Sequence, residues 1–231
     1  MLNETDARWL CEQYPDLVID GDLIAGPIAF RASYSHKENC FRILNDASSP
    51  GGAVALSGSF QIRIEERSDK STSHLPALYV SDVDHTPDRH FNQKDSSACL
   101  CNPLEEHEFT QPSFRFQPFL EQLVIPFLYG QIYYSAEGHW PWAEYAHGAT
   151  GILEAYSKVS HSAHVDECLQ QLTRDSNWPR IRAALRQEPF VKGHTPCFCT
   201  KMDHIRRCHP RALDGARRLQ QDIEAVGLRI P

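Results

Sequence analysis

Two cysteines one residue apart, Cys99 and Cys101, stand in "SSACLCNP" at residues 96–103, and His90 and Asn92 precede them in "RHFNQ". A thiolate is a strong nucleophile and a good acyl leaving group, so a thiol here can carry a carboxyl group as a thioester. An Asn amide is a usual donor to the oxyanion that forms during such a transfer. In an extended segment residues i and i+2 point the same way. Both thiols would then share one pocket, where one attacks while the other tunes its pKa, accepts the acyl group or protects it as a reversible disulfide. Two other readings compete. Free cysteines are often small buried apolar side chains. A zinc site using His90 is the other, though no fourth ligand is spaced nearby. The downstream "EEHE", residues 105–108, adds negative charge that raises a thiol's pKa unless His90 or Lys94 counters it.

A second cysteine group lies near the C-terminus. "PCFCTKMDHIRRCHP" reads Cys197-x-Cys199, eight residues, then Cys208-His209. Three thiolates and one imidazole make a closed tetrahedral zinc site of the structural type. Arg206 and Arg207 would offset its negative charge. Between 201 and 218 stand Lys201, Arg206, Arg207, Arg211, Arg217 and Arg218 against two acids. That face could meet an acidic partner or a nucleic acid, or simply be solvated. In "HSAHVDEC", His161, His164 and Cys168 fit one helix face but lack a fourth ligand. His147, in "EYAHGAT", is either a satisfied histidine or a base near the thiol.

The elements that must position these residues follow from periodicity. "NETDARWLCEQYP" has cap candidates, acids in its first turn and a closing proline, and reads as a short helix. "LIAGPIAFRASYS", "CFRIL", "GGAVALSGSFQIRIEER" and "LPALYVSDV" predict an antiparallel meander of three to five strands. Within it, Phe60, Ile62 and Ile64 alternate with Gln61, Arg63 and Glu65. From Asp84 to Ser113 the pattern lapses, as it does in functional loops. "SFRFQPFLEQLVIPFLYGQIYYS" has helical spacing, with Pro126 placed to kink or split it. "PWAEYAHGATGILEAYSKV", "HVDECLQQLTRD", "WPRIRAALRQE" and "ALDGARRLQQDIEAV" predict further helices, the first weakened at Gly148 and Gly151. The order of helix, strands, long loop and helices implies an α+β fold.

The 231 residues suffice for one sizeable domain with an appendage. A net charge of −7 does not favour nucleic acid as a general partner. No apolar run approaches a membrane span, and the polar N-terminus has no signal-peptide core. The expected location is the cytoplasm, where thiols stay reduced and closely spaced cysteines point to metal or catalysis.

The helix, the meander, "LP" before a strand, "HFN", a short loop, "ACL" and then helices resemble the ubiquitin-conjugating enzymes. Their His-Pro-Asn appears here as His90-Phe91-Asn92, with Phe for Pro. The resemblance implies Asn92 as oxyanion donor and a mainly structural His90. "ACL" favours Cys99 as the family's cysteine, whereas the spacing from His90 does not choose between Cys99 and Cys101. Trp140-Pro141, His147-Gly148 and Tyr156 further resemble bacterial ubiquitin-conjugating-like proteins of the antiphage CBASS operons. That resemblance implies a stand-alone conjugating enzyme that joins the C-terminus of a cGAS-like nucleotidyltransferase to a target lysine. The C-terminal cysteine group resembles the small zinc-binding SEC-C motif, with Thr200-Lys201-Met202 where that motif has Gly-Ser-Gly. The expected organisation is a conjugating-like domain at 1–158, a helical linker at 159–190 and a zinc knuckle with its tail helix at 191–231. The alternatives are a non-catalytic adaptor of the same fold and a cysteine protease using His147.

Overall fold

The computed structural model describes residues 2–44, 52–67, 73–110, 112–159, 164–199, 201 and 203–231. The chain forms two compact units, one of residues 1–101 and 106–144, the other of 102–105 and 145–231. The fold is α+β, with an antiparallel sheet and helices.

The first unit opens with α1 (Glu4–Gln13), capped by the Asn3 side chain, which accepts from the Asp6 N–H at 2.8 Å. Five antiparallel strands follow: β1 (Val18–Asp20), β2 (Leu23–Ser35), β3 (Cys40–Ile43), β4 (Val54–Glu65) and β5 (Ala77–Val80). The long β2 is the spine. One of its edges pairs with β4 from Leu23 to Tyr34, and the other carries β1 at one end and β3 at the other. The alternation expected in β4 holds: Phe60, Ile62 and Ile64 are buried while Gln61 and Arg63 are exposed. These side chains meet Phe116, Phe119, Leu120, Ile125 and Leu128 in one core.

Those helical residues come from α3 (Phe116–Phe119), a π turn (Leu120–Val124) and α4 (Ile125–Glu137), preceded by the short α2 (His107–Thr110). The expected disruption at Pro126 takes the form of the wide turn just before it. Proline has no N–H to bond the preceding turn and its ring crowds that turn's carbonyl, so the helix widens where the ladder is broken. The stretch from 84 to 113 is indeed mostly irregular, holding 3-10 turns at Pro87–Arg89 and Pro103–Glu105 besides α2.

The second unit packs α5 (Gly148–Val159), α6 (Val165–Thr173), α7 (Trp178–Leu185), α8 (Ile205–Cys208) and α9 (Pro210–Val226). Leu104, Leu153, Tyr156, Leu172, Ile181, Ile205 and Leu219 are buried together. By compactness the main division falls at 144, and α5, α6 and α7 share a core with the C-terminal helices. The helix expected from Pro141 begins only at Gly148. Gly151 is more than a weak helix former: a Cβ there would stand 1.7 Å from the Ala146 carbonyl oxygen.

α9 approaches α5 closely at Gly215, where a Cβ would lie 1.8 Å from the Leu153 carbonyl oxygen. Backbone cannot rotate aside as a side chain can. Gly215→Ala is expected to destabilise the protein by about 2 kcal/mol, the cost of overpacking a tight contact. Urea denaturation followed by far-UV circular dichroism measures this, and an unchanged midpoint would mean that the two helices separate freely.

Candidate functional site

The first unit places three of the expected residues on one short hairpin. His90 ends the turn Pro87–Arg89 in a left-handed conformation, with φ of 55°. The chain then runs out through Phe91 and Asn92 and returns through Ser97, Ala98 and Cys99. Asn92 N–H donates to the Ser97 carbonyl at 2.8 Å, and Cys99 N–H to the His90 carbonyl at 2.8 Å. Phe91 pairs with Ala98 across an antiparallel bridge, and both are buried. The hairpin is fixed to the sheet by Ala98 N–H, which donates to the Leu78 carbonyl of β5 at 2.8 Å. Cys99 is left exposed at the end of this pair, whereas Cys101 is half-buried against the core of the unit. The two cysteines thus differ in exposure. None of the eight cysteines forms a disulfide.

The side chains of the hairpin are held from several directions. His90 Nε2 donates to Glu144 Oε1 at 2.5 Å, and its ring meets the Trp140 ring edge-on at 4.7 Å. Trp140 in turn donates from Nε1 to the Asp88 carbonyl at 3.0 Å. Asn92 donates from Nδ2 to Ser97 Oγ at 3.0 Å. An amide nitrogen carries two hydrogens, so this bond orients the side chain and leaves one donor. Ser97 also donates from Oγ to Asp95 Oδ1 at 2.8 Å.

Sequence reasoning missed Arg67, which completes the network. Its Nη1 lies 3.2 Å from Asp95 Oδ2, and its Nη2 donates to Ser97 Oγ at 3.2 Å. Glu106 was present only as part of an acidic run. It is buried and accepts the His74 N–H at 2.8 Å. Burial raises the Glu106 carboxyl above the ordinary range, while hydrogen bonds from His74 and Ser73 and the charges of His74 and Arg67 oppose the rise.

The Cys99 thiol is pushed above its ordinary value. Protein packed around it removes water that would solvate a thiolate, although the residue itself is exposed; the Glu106 charge adds to the rise and the Arg67 charge opposes it. The effect expected of "EEHE" is therefore present through Glu106. The countering cation is Arg67, in place of His90 or Lys94.

The second unit gathers the other cysteine group. Ligating atoms of Cys197, Cys199, Cys208 and His209 all lie within 4.8 Å of one another. Cys197 Sγ is 3.2 Å from His209 Nδ1, and Cys199 Sγ is 3.4 Å from Cys208 Sγ. Neighbouring sulfurs around a tetrahedral zinc ion stand about 3.8 Å apart, so the donor set fits a metal ion. A turn closed by Cys197 N–H on the Asp203 carbonyl, at 2.7 Å, and the short α8 bring the donors together. Thr200 and Met202, where the SEC-C turn differs, lie outside the described residues. Burial first, and the neighbouring thiols after it, push the Cys197 thiol up. Three crowded thiols do not ionise together unaided; a bound dication reverses that penalty.

The remaining candidates are His147, His161, His164 and Cys168. His147 belongs to the second unit, exposed just before α5, while Cys99 belongs to the first. His161 lies outside the described residues; Cys168 is fully buried in the second core, and His164 Nδ1 is 3.8 Å from Glu167. Cys168 thus serves as an apolar core residue. Among the described residues no helix is long and apolar enough to cross a membrane. No protein-family model, curated protein or solved structure matches the chain.

Purified protein is expected to carry about one metal ion per chain, read by elemental analysis. Cys197→Ser and Cys208→Ser should each lose it and lower the melting temperature, because Cys197, Phe198 and Ile205 belong to the core of the second unit. Acid should release the metal, since protons compete for thiolate and imidazole. Full retention of metal in both variants would refute the assignment.

Proposed function

We propose that the chain is a cysteine-dependent conjugating enzyme of ubiquitin-conjugating-like fold. Cys99 forms a thioester with the C-terminus of a protein partner and passes it to a lysine amine. The observation that carries this reading is the hairpin: an exposed cysteine lies directly across from the His90-Phe91-Asn92 strand, with Cys99 N–H on the His90 carbonyl at 2.8 Å. The second hydrogen of the Asn92 amide is a suitable donor to the oxyanion. His90, tied to Glu144 and Trp140, holds the strand that presents Asn92. The motifs around Trp140 and Tyr156 support a cGAS-like nucleotidyltransferase as the partner and antiphage defence, of the CBASS kind, as the setting. A cytoplasmic setting, where thiols stay reduced, accords with this reading. The metal of the C-terminal group is zinc in a structural role, because three thiolates and an imidazole leave no open position for substrate.

One observation favours a second reading, a binding-only adaptor of the same fold. The Cys99 thiol is pushed up, which leaves less thiolate at rest. No observation within either unit favours the protease.

Mixing the protein with its partner, and with an activating protein where one is needed, should trap an adduct that thiol reductants reverse. Cys99→Ala should abolish it, and Cys101→Ala should leave it or alter only its rate. Asn92→Ala should slow transfer roughly a hundredfold, as loss of an oxyanion donor does. Binding without any adduct would establish the adaptor, and an adduct persisting in the double cysteine variant would remove this hairpin from the chemistry.

A further inference from the structure

Arg67 sits at the centre of a charged cluster for which the conjugating reading has no role. It follows the last residue of β4 by two positions and reaches the returning strand of the hairpin. Its guanidinium engages Asp95 and Ser97, both through terminal nitrogens at 3.2 Å. Its Nε–H is buried and makes no hydrogen bond among the described residues. A buried donor without an acceptor costs about 1–3 kcal/mol, so such a group is retained where its charge or its hydrogen has another use. The guanidinium is thus bonded to the returning strand at Ser97, two residues before the cysteine that the same strand carries. On the opposing side of the balance stands Glu106, buried and bonded through one oxygen to the His74 N–H.

We propose that Arg67 is a positioning residue for Cys99: it clamps the strand that carries the thiol, and its charge, set against that of Glu106, decides how much thiolate the hairpin presents. The proposal rests on the reading of Cys99 as nucleophile. The charged groups that act on the thiol are Glu106, which disfavours the thiolate, and Arg67, which favours it. Asp95 bonds Arg67 and tempers its charge, while Arg67 and His74 act on Glu106 in turn. An opposite charge within reach favours the ionised form, so removing Arg67 should raise the ionisation midpoint and removing the Glu106 charge should lower it. The arrangement makes thiolate supply depend on a pair of opposed charges on two different elements. A partner that touches either of them would change the reactivity of Cys99 without touching the sulfur.

Alkylation by iodoacetamide tests this on the full chain with no partner present. The Cys99 thiolate displaces iodide, a carbon–sulfur bond forms and the thiol proton goes to buffer. The rate at Cys99, followed by peptide mass spectrometry against pH, gives the midpoint. Arg67→Gln should raise it by roughly one unit, about a tenfold loss of thiolate below the midpoint. Arg67→Lys, which keeps the charge, should restore most of it. Glu106→Gln should move the midpoint down, and its amide oxygen can still accept the His74 N–H, so this variant guards against a misfolded Arg67→Gln. Unchanged midpoints in Arg67→Gln and Glu106→Gln would overturn the proposal, as would an Arg67→Lys shift as large as that of Arg67→Gln. If the profiles move as expected but the wild-type protein traps no partner, the conjugating reading fails and the charge pair stands. If the adduct forms and the profiles do not move, the reverse holds.

Discussion

A two-stranded ribbon with no sheet beside it is marginal in water. The hairpin of residues 90–99 has side-chain ties to Arg67 and Glu144, and a hydrogen bond from Ala98 N–H to the Leu78 carbonyl of β5 docks it on the sheet. With it, Ala98 is drawn against the sheet and Phe91 follows into the core, where its ring meets Phe127 at 5.4 Å edge to face. The placement of Cys99 follows from that docking together with those ties. Cys99 is an exposed residue next to a buried Ala98, and its N–H meets the His90 carbonyl because the pairing of Phe91 with Ala98 sets the register. A slip of one residue would turn the thiol toward the other side.

The second unit solves a different problem, which is to hold four metal-ligating side chains on a short segment. It does so by using part of the segment as core. Cys197, Phe198 and Ile205 are buried, so the turn between Cys197 and Cys208 is anchored from within. Arg180 adds a bond from Nη2 to the Cys197 carbonyl at 2.7 Å. The close approach of α9 to α5 at Gly215 brings the following helix in tightly enough to cover this core. A metal ion held by these four donors would couple its binding to this packing.

Much of the fold was legible because burial writes a period into the sequence. The alternation in β4 shows directly, since one face of the strand is core and the other solvent. The metal-ligating set was legible too, because its four donors are confined to thirteen residues of chain. The start of α5 was not. The seven residues before Gly148 contain apolar and aromatic side chains at spacings that suit a helix, but Trp142 packs against Tyr34 and Tyr129, a tertiary use that overrides local preference. Arg67 was illegible for another reason. As the next outward position but one after Arg63, it looks like any charged residue at a strand end. Its partners, Asp95 and Ser97, lie 28 and 30 residues away, and nothing in local pattern records such a separation.

The two cysteine groups also differ in what their surroundings do to a thiol, and the difference argues for different chemistry. In the C-terminal cluster each thiol is the others' neighbour, so each ionisation makes the next harder, and nearby protein removes water besides. Only a cation placed among the sulfurs relieves all of them together, which makes the cluster a metal-ligating group and a poor source of reactive thiolate. Cys99 has no such crowd. Its rise comes from desolvation and from one carboxylate, Glu106, and a fixed guanidinium already opposes it. A thiol balanced in that way can be shifted by a modest change in one neighbour. That is the condition a nucleophile needs if it is to stay protonated at rest and still react when a partner is in place.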